Sequence, residues 1–94
     1  MRPVLHGDVV AAARALRAVP AAQRPRLVRR IIAAAEFADR YRRRVGRAHP
    51  DFGGGSLMAA AGAWPRRPEP LLDDPDYLGC LACVIEALLA RNGR

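Results

Sequence analysis

The sequence predicts an all-α fold, a small antiparallel bundle of three main helices plus one short helix, and three observations support it. Alanine, leucine and arginine dominate the 94 residues, and all three favour helices. Apolar residues recur at three- and four-residue spacing, which is the helical period. Proline and glycine interrupt this spacing at only a few places. A chain of this length supports one core, so we expect a single helical domain over residues 1–94.

The first two helices are predicted over residues 7–19 and 22–45. Asp8 lies in the first turn of the first helix, where a carboxylate favours the helix dipole, and Pro20 ends it. The expected buried stripe of the first helix is Leu5, Val9, Ala12, Leu16 and Val19. That of the second is Leu27, Ile31, Ala34, Ala38, Tyr41 and Val45. Gly46 supplies the stop.

On the second helix, Glu36–Arg40 and Asp39–Arg43 have the spacing of acid–base pairs on an exposed face. A loop over residues 47–55 then leads to the short third helix.

The third helix is predicted over residues 57–63, with Ser56 as its cap, and we expect it to form a lid over one end of the bundle. The lid side chains are Leu57, Met58 and Trp64. A proline-rich segment, residues 66–73, precedes the fourth helix, which Asp74-Pro75-Asp76 opens and Asn92-Gly93 end. The expected core face of the fourth helix is Leu78, Leu81, Ile85, Leu88 and Leu89.

The charge of the chain is strongly positive. All 16 basic residues are arginines, and the formal net charge is +7. Codon bias in a GC-rich genome explains part of this, but the charge also suits nucleic acid, an acidic protein or an anionic membrane surface. No signal-peptide core and no run of roughly 20 apolar residues is visible, so we expect a cytoplasmic protein with no membrane partner.

The charges are also unevenly placed. Residues 24–47 hold nine arginines and two acids, whereas residues 68–90 hold five acids and no arginine. If the segment 73–77 packs near the second helix, its aspartates pair with some of these arginines within the fold.

Motifs associated with catalysis or metal binding are weak. Cys80-Leu81-Ala82-Cys83 has a metal-site spacing but lacks a second ligand pair, so two core thiols are the favoured interpretation and a zinc site is a minor alternative. Residues 53–56 precede a helix without the lysine of a phosphate loop. The aspartates at 73, 74 and 76 are explained by helix capping. We therefore expect no catalytic residue, no metal, no cofactor and no enzymatic activity.

The arginines of the second helix are the best candidates for a binding surface. Together with one aromatic side chain they form the predicted macromolecule-binding set: Arg29, Arg30, Arg40, Arg43, Arg44, Arg47 and Trp64. Guanidinium groups bind carboxylate and phosphate bidentately. The leading hypothesis is a small helical adaptor or regulator that binds another protein. The alternative is a nucleic-acid-binding protein, and the sequence leaves the oligomeric state open.

Four short motifs together resemble a known family. They are HGDV at residues 6–9, GRAHP at 46–50, GSLMAA at 55–60 and DDPDY at 73–77. In combination they resemble a small uncharacterised bacterial family, a domain of unknown function. The resemblance implies one compact domain and supplies no catalytic or binding residue.

Overall fold

The computed structural model describes residues 1–92 and confirms the all-α prediction. Its four α-helices are α1 (His6–Leu16), α2 (Arg24–Val45), α3 (Leu57–Ala61) and α4 (Pro75–Asn92). α1 and α2 each pack against both α3 and α4, and the buried core lies among them. Over residues 1–92 there is no β-strand, only an isolated antiparallel bridge between His49 and Gly53.

None of the helices in the described range combines the length and apolar character that crossing a membrane requires. The predicted stop at Gly93 lies outside the described residues.

Asp8 fixes the start of α1 and connects it to α3. The backbone N–H of Leu5 donates to Asp8 Oδ2 at 2.7 Å, and the N–H of Met58 donates to Oδ1 at 2.9 Å. The predicted stripe is wrong at its N-terminal end, because Leu5 is the N-cap residue and is 70% exposed. The helix ends at Leu16, three residues before the predicted end. Its buried positions are mostly alanine, which allows the neighbouring helices to approach closely.

α2 follows a single 3₁₀ turn, Ala21–Gln23, which accommodates the prolines near its start. The predicted stripe is buried from Leu27 to Ala38. It is wrong at the far end, where Tyr41 is only half-buried and Val45 is exposed. The last turn is exposed because the helix continues beyond the elements that pack on it. Gly46, with a φ of 85°, ends α2 in the left-handed conformation.

α3 is shorter than predicted and only partly forms a lid. Ser56 caps it as expected, because Ser56 Oγ accepts a hydrogen bond from the N–H of Ala59 at 3.1 Å. Leu57 is buried, but Met58 is 47% exposed, so the prediction for Met58 is wrong.

α4 begins as predicted, but only Leu81 and Leu88 of its predicted core face pack against the core. Asp74 Oδ1 accepts a hydrogen bond from the N–H of Tyr77 at 2.9 Å, which confirms the cap. Three residues of the predicted core face are exposed: Leu78, Ile85 and Leu89. The residues that are fully buried instead are Tyr77, Cys80 and Val84.

Two polar contacts accompany this orientation at the first turn of α4. Arg24 on α2 donates to Asp76 Oδ1 at 2.7 Å, and the Tyr77 hydroxyl donates to Glu69 at 3.1 Å. The Asp76 contact confirms that the acidic segment 73–77 packs near the basic helix. At the other end, Glu36 accepts from Arg91 at 2.8 Å rather than pairing with Arg40, so that predicted pair is wrong.

Candidate functional site

Four of the six predicted binding arginines, at positions 29, 30, 40 and 44, lie on the side of α2 that points away from the core. We call this side the outer face of α2 and define it by six exposed residues: Arg26, Arg29, Arg30, Phe37, Arg40 and Arg44. Their spacing of mainly three, four and seven residues places them on one side of a helix. Arg47 is exposed just beyond the helix end, and Trp64 is half-buried.

One predicted binding arginine also has a structural role. Arg43 donates to Asp39 Oδ2, and Arg42 donates to Oδ1 of the same carboxylate at 3.0 Å. Asp39 is 2% exposed, so this pair does not lie on an exposed face as predicted. The α-amino group of Met1 lies 3.3 Å from the same carboxylate. These cations hold the pKa of Asp39 well below its usual range, with the Arg43 hydrogen bond as the largest cause.

Arg24 is likewise committed to the fold. Its hydrogen bonds to Asp76 lower the pKa of that carboxyl and raise the pKa of Arg24 itself. By contrast, over residues 1–92 no carboxylate pairs with Arg26, Arg29, Arg30, Arg40, Arg44 or Arg47. This second group supplies the positive charge that a partner would meet.

Aromatic rings run beside these arginines in a continuous series of contacts, which we call the aromatic row. Its members are Phe37, Tyr41, His49, Phe52 and Trp64. Phe37 and Tyr41 meet the His49 ring edge-on, with centroids 5.3 and 4.8 Å away. His49 stacks on Phe52 at 5.0 Å, and Phe52 stacks on Trp64 at 6.0 Å. Phe37 is 47% exposed.

The loop after α2 places His49 and Phe52 in the row. The backbones of His49 and Gly53 exchange two hydrogen bonds, of 2.9 and 3.0 Å, which close a tight turn. His49 Nδ1 accepts from the N–H groups of Asp51 and Phe52, so the ring is held from inside the turn. Gly53 has a φ of 78°, and a Cβ there would lie 2.5 Å from that of Ala59. Only glycine fits at this position.

The two ends of the aromatic row have similar chemistry. At one end Arg30 lies 5.7 Å from the Trp64 ring centroid, in cation–π geometry. A hollow of about 420 Å³ there is lined in part by Arg26, Arg30 and Trp64. At the other end a hollow of about 220 Å³ is lined by Phe37, Arg40, Tyr41 and Arg44. Each hollow therefore combines an aromatic ring with two guanidinium groups.

The sequence indicated part of this surface and missed the rest. It identified the arginines and Trp64, and Phe37 and Tyr41 stand close to those arginines in the sequence. It did not place His49 or Phe52, because both lie in a loop whose path no helical period describes. The signal that was available is the glycine at position 53, which favours a tight turn after an i,i+3 pair of rings.

The other motifs have structural explanations in the described range. Cys80 is buried and Cys83 half-buried, both are unpaired, and burial raises the pKa of each thiol. Over residues 1–92 no three His, Cys, Asp or Glu side chains gather as a metal site would require. In the glycine-rich loop, the carbonyl of Gly54 accepts a hydrogen bond from Arg42.

Comparison with known proteins identifies the family of this chain. No curated protein and no solved structure matches the chain. The model of a domain of unknown function, DUF7742, matches residues 2–88, which is most of the sequence. The chain therefore belongs to the DUF7742 family, in agreement with the resemblance of its four short motifs.

Proposed function

We propose that this protein is a non-catalytic binding protein and that the outer face of α2, together with the aromatic row, binds single-stranded nucleic acid. One observation carries the proposal: arginines without a carboxylate partner lie beside a row of aromatic rings, and the hollow at each end of the row is lined by two arginines and at least one ring. Single strands are bound by this combination, since arginines neutralise phosphates while bases stack on aromatic side chains.

The dimensions of the surface suit several nucleotides. Arg26 and Arg44 are 18 residues apart on one helix, which corresponds to about 27 Å along the axis. Each strand of a duplex carries one phosphate per about 3.4 Å of the helix axis, so this length spans several phosphates. The arginines near the two ends of α2 can therefore contact separate phosphates of one strand.

The chemistry of α2 favours single strands over sequence-specific recognition of a duplex. In the major groove arginine reads guanine, whereas asparagine and glutamine read adenine, and α2 contains arginine but neither of the other two. Its outer face instead presents Phe37, which suits the face of an unpaired base. The same composition argues against a helix-turn-helix formed by α1 and α2.

An acidic protein is the second candidate partner; the leading hypothesis from the sequence is a protein partner of unspecified charge. The hollow between Phe37, Arg40, Tyr41 and Arg44 favours it, because an apolar side chain flanked by carboxylates would fit there. Such a partner would make this chain an adaptor or regulator acting through the same surface. The cytoplasm is the proposed location for either role, supported by the two unpaired cysteines.

The two candidates are separated by equilibrium binding. A fluorescently labelled single-stranded oligonucleotide is titrated with the protein at low and high salt, and a duplex and a glutamate-rich polypeptide are used as competitors. We expect binding that weakens steeply with salt and that unlabelled single strand displaces better than duplex does. No binding at low salt would contradict the proposal. Displacement by the acidic polypeptide alone would favour the protein partner.

A further inference from the structure

The exposed side of α4 carries an apolar stripe that the core does not use. The stripe consists of Leu78, Ala82, Ile85 and Leu89, spaced four, three and four residues apart, which we call the α4 stripe. Its three large side chains are 45, 48 and 65% exposed. Exposed apolar side chains that are contiguous on one helix face, unlike scattered ones, indicate an interaction surface.

We propose that the α4 stripe packs against the α4 stripe of a second copy of this chain, with the two helices antiparallel. The spacing of four, three and four is the same in both directions, which a two-fold interface requires. In this register Leu78 lies opposite Leu89 of the second copy, and Ala82 lies opposite Ile85. These layers match the a–d alternation of antiparallel helix packing, and the small Ala82 leaves room for Ile85.

The charges on α4 are compatible with a second copy. Asp76 and Arg91 lie on the core side of the helix, where they bind Arg24 and Glu36. Glu86 is then the charged residue nearest the stripe within residues 75–92, and in this register it lies beside Gly79 of the second copy. A Cβ at Gly79 would meet no atom within 4 Å, so that site is open. No two like charges meet at the interface.

The same charges argue against a membrane or nucleic acid as the occupant. The segment before α4 carries Asp73 and Asp74, and Glu86 borders the stripe, so an anionic surface would be repelled. A single helix pair buries less surface than an obligate dimer, so we expect a reversible monomer–dimer equilibrium.

Disulfide trapping tests the register directly. Leu78→Cys and Leu89→Cys proteins are mixed, mildly oxidised and analysed by mass, with each variant alone and the wild type as controls. Only the mixture should form the 78–89 disulfide in quantity. In a single variant the two introduced thiols would lie about 16 Å apart along the axis and would not join. Equal cross-linking by either single variant would overturn the antiparallel register.

Sedimentation equilibrium tests the dimer without any cysteine substitution. We expect the wild type to dimerise reversibly and Ile85→Gln to raise the dimer dissociation constant about tenfold or more. Ala90→Gln, on the same helix but off the stripe, should leave it unchanged. A wild type that is monomeric at all concentrations would overturn the proposal, as would a dimer that Ile85→Gln does not weaken. Neither result depends on whether the protein binds nucleic acid.

Discussion

The guanidinium group of Arg30 lies over the indole ring of Trp64, 5.7 Å from the ring centroid, and connects α2 to the segment that follows α3. Through this contact the aromatic row and the outer face of α2 form one surface. Trp64 stacks on Phe52, Phe52 on His49, and His49 meets the edges of two rings on α2. Helix α2, the loop that follows it and Trp64 after α3 thereby place aromatic and cationic groups on the same side of the molecule.

Phe37 is the ring most accessible for stacking. Phe37→Ala should weaken binding of a single-stranded oligonucleotide about 5- to 100-fold, because stacking on one aromatic side chain contributes about 1–3 kcal/mol per base. Fluorescence anisotropy measures the change. Leu71→Ala, which removes an even more exposed apolar side chain from a loop, is the control and should have no effect. If both variants lose the same affinity for the oligonucleotide, Phe37 is not part of the binding site.

Arg40 should act through phosphate rather than through a base. Arg40→Gln is expected to weaken binding of all sequences alike and to reduce the slope of log affinity against log salt by about 1. Arg2→Gln removes the same charge away from α2 and should change the slope less. The measurement is the salt dependence of the dissociation constant for each protein. An unchanged slope for Arg40→Gln would show that this side chain contacts no phosphate.

Asp8 should be a major determinant of stability. It is 5% exposed and accepts hydrogen bonds from the backbone of Leu5 and Met58. Asp8→Ala leaves both donors without this acceptor, and we expect it to lower the free energy of unfolding by about 2–4 kcal/mol. Asp8→Asn keeps one acceptor and should lose less.

The exposed Asp51 provides a control for the loss of a carboxylate, and Asp51→Ala should change stability by less than about 0.5 kcal/mol. Urea denaturation compares these variants. If Asp8→Ala loses no more stability than Asp51→Ala does, the hydrogen bonds of Asp8 do not stabilise the start of α1 as argued.

The ion pairs of Asp39 with Arg42, Arg43 and the α-amino group should make the stability of the fold pH-dependent in the acid range. The pKa of Asp39 is lowered from its ordinary value of 3.8, mainly by the hydrogen bonds from Arg43 and Arg42. A carboxylate with a depressed folded-state pKa stabilises fully above the unfolded-state pKa. That contribution is lost as the pH falls toward the folded-state pKa. The free energy of unfolding should therefore decrease as the pH is lowered below about 4.

The variant Asp39→Asn isolates this contribution. It should be less stable than the wild type near neutral pH and should show a shallower decline below about pH 4, since Asp76 still titrates. Urea denaturation over a series of pH values gives both curves. If the two curves run parallel, Asp39 is not the linked group.

The sequence predicted the class of fold and the helix starts better than the orientation of each helix. Caps are local signals, and Ser56 and Asp74 act as predicted. The rotation of α4 is not local, because this helix carries large apolar residues on nearly all sides and two faces fit the helical period. The face that is buried carries Tyr77, Cys80 and Val84, and beside it Asp76 pairs with Arg24, which is 52 residues away in sequence.

In the candidate site, too, the local features could be predicted from the sequence and the long-range contacts could not. Its arginines and Phe37 could be assigned to one side of a helix from their spacing. The sequence could not show which arginines are already paired with a carboxylate, because Arg24 pairs with an aspartate 52 residues away. The positions of His49 and Phe52 depend on a turn closed by Gly53, which only the folded loop reveals.

The fluorescence of Trp64 tests the central claim most directly, because it is the single tryptophan of the chain and lies at one end of the aromatic row. Titration with a single-stranded oligonucleotide at low salt should quench its emission in a saturable manner. High salt should reverse the quenching, and Arg30→Gln should weaken the binding that causes it. Emission that does not change at saturating oligonucleotide, or that changes equally with an uncharged polymer, would contradict the assignment of this surface to nucleic acid.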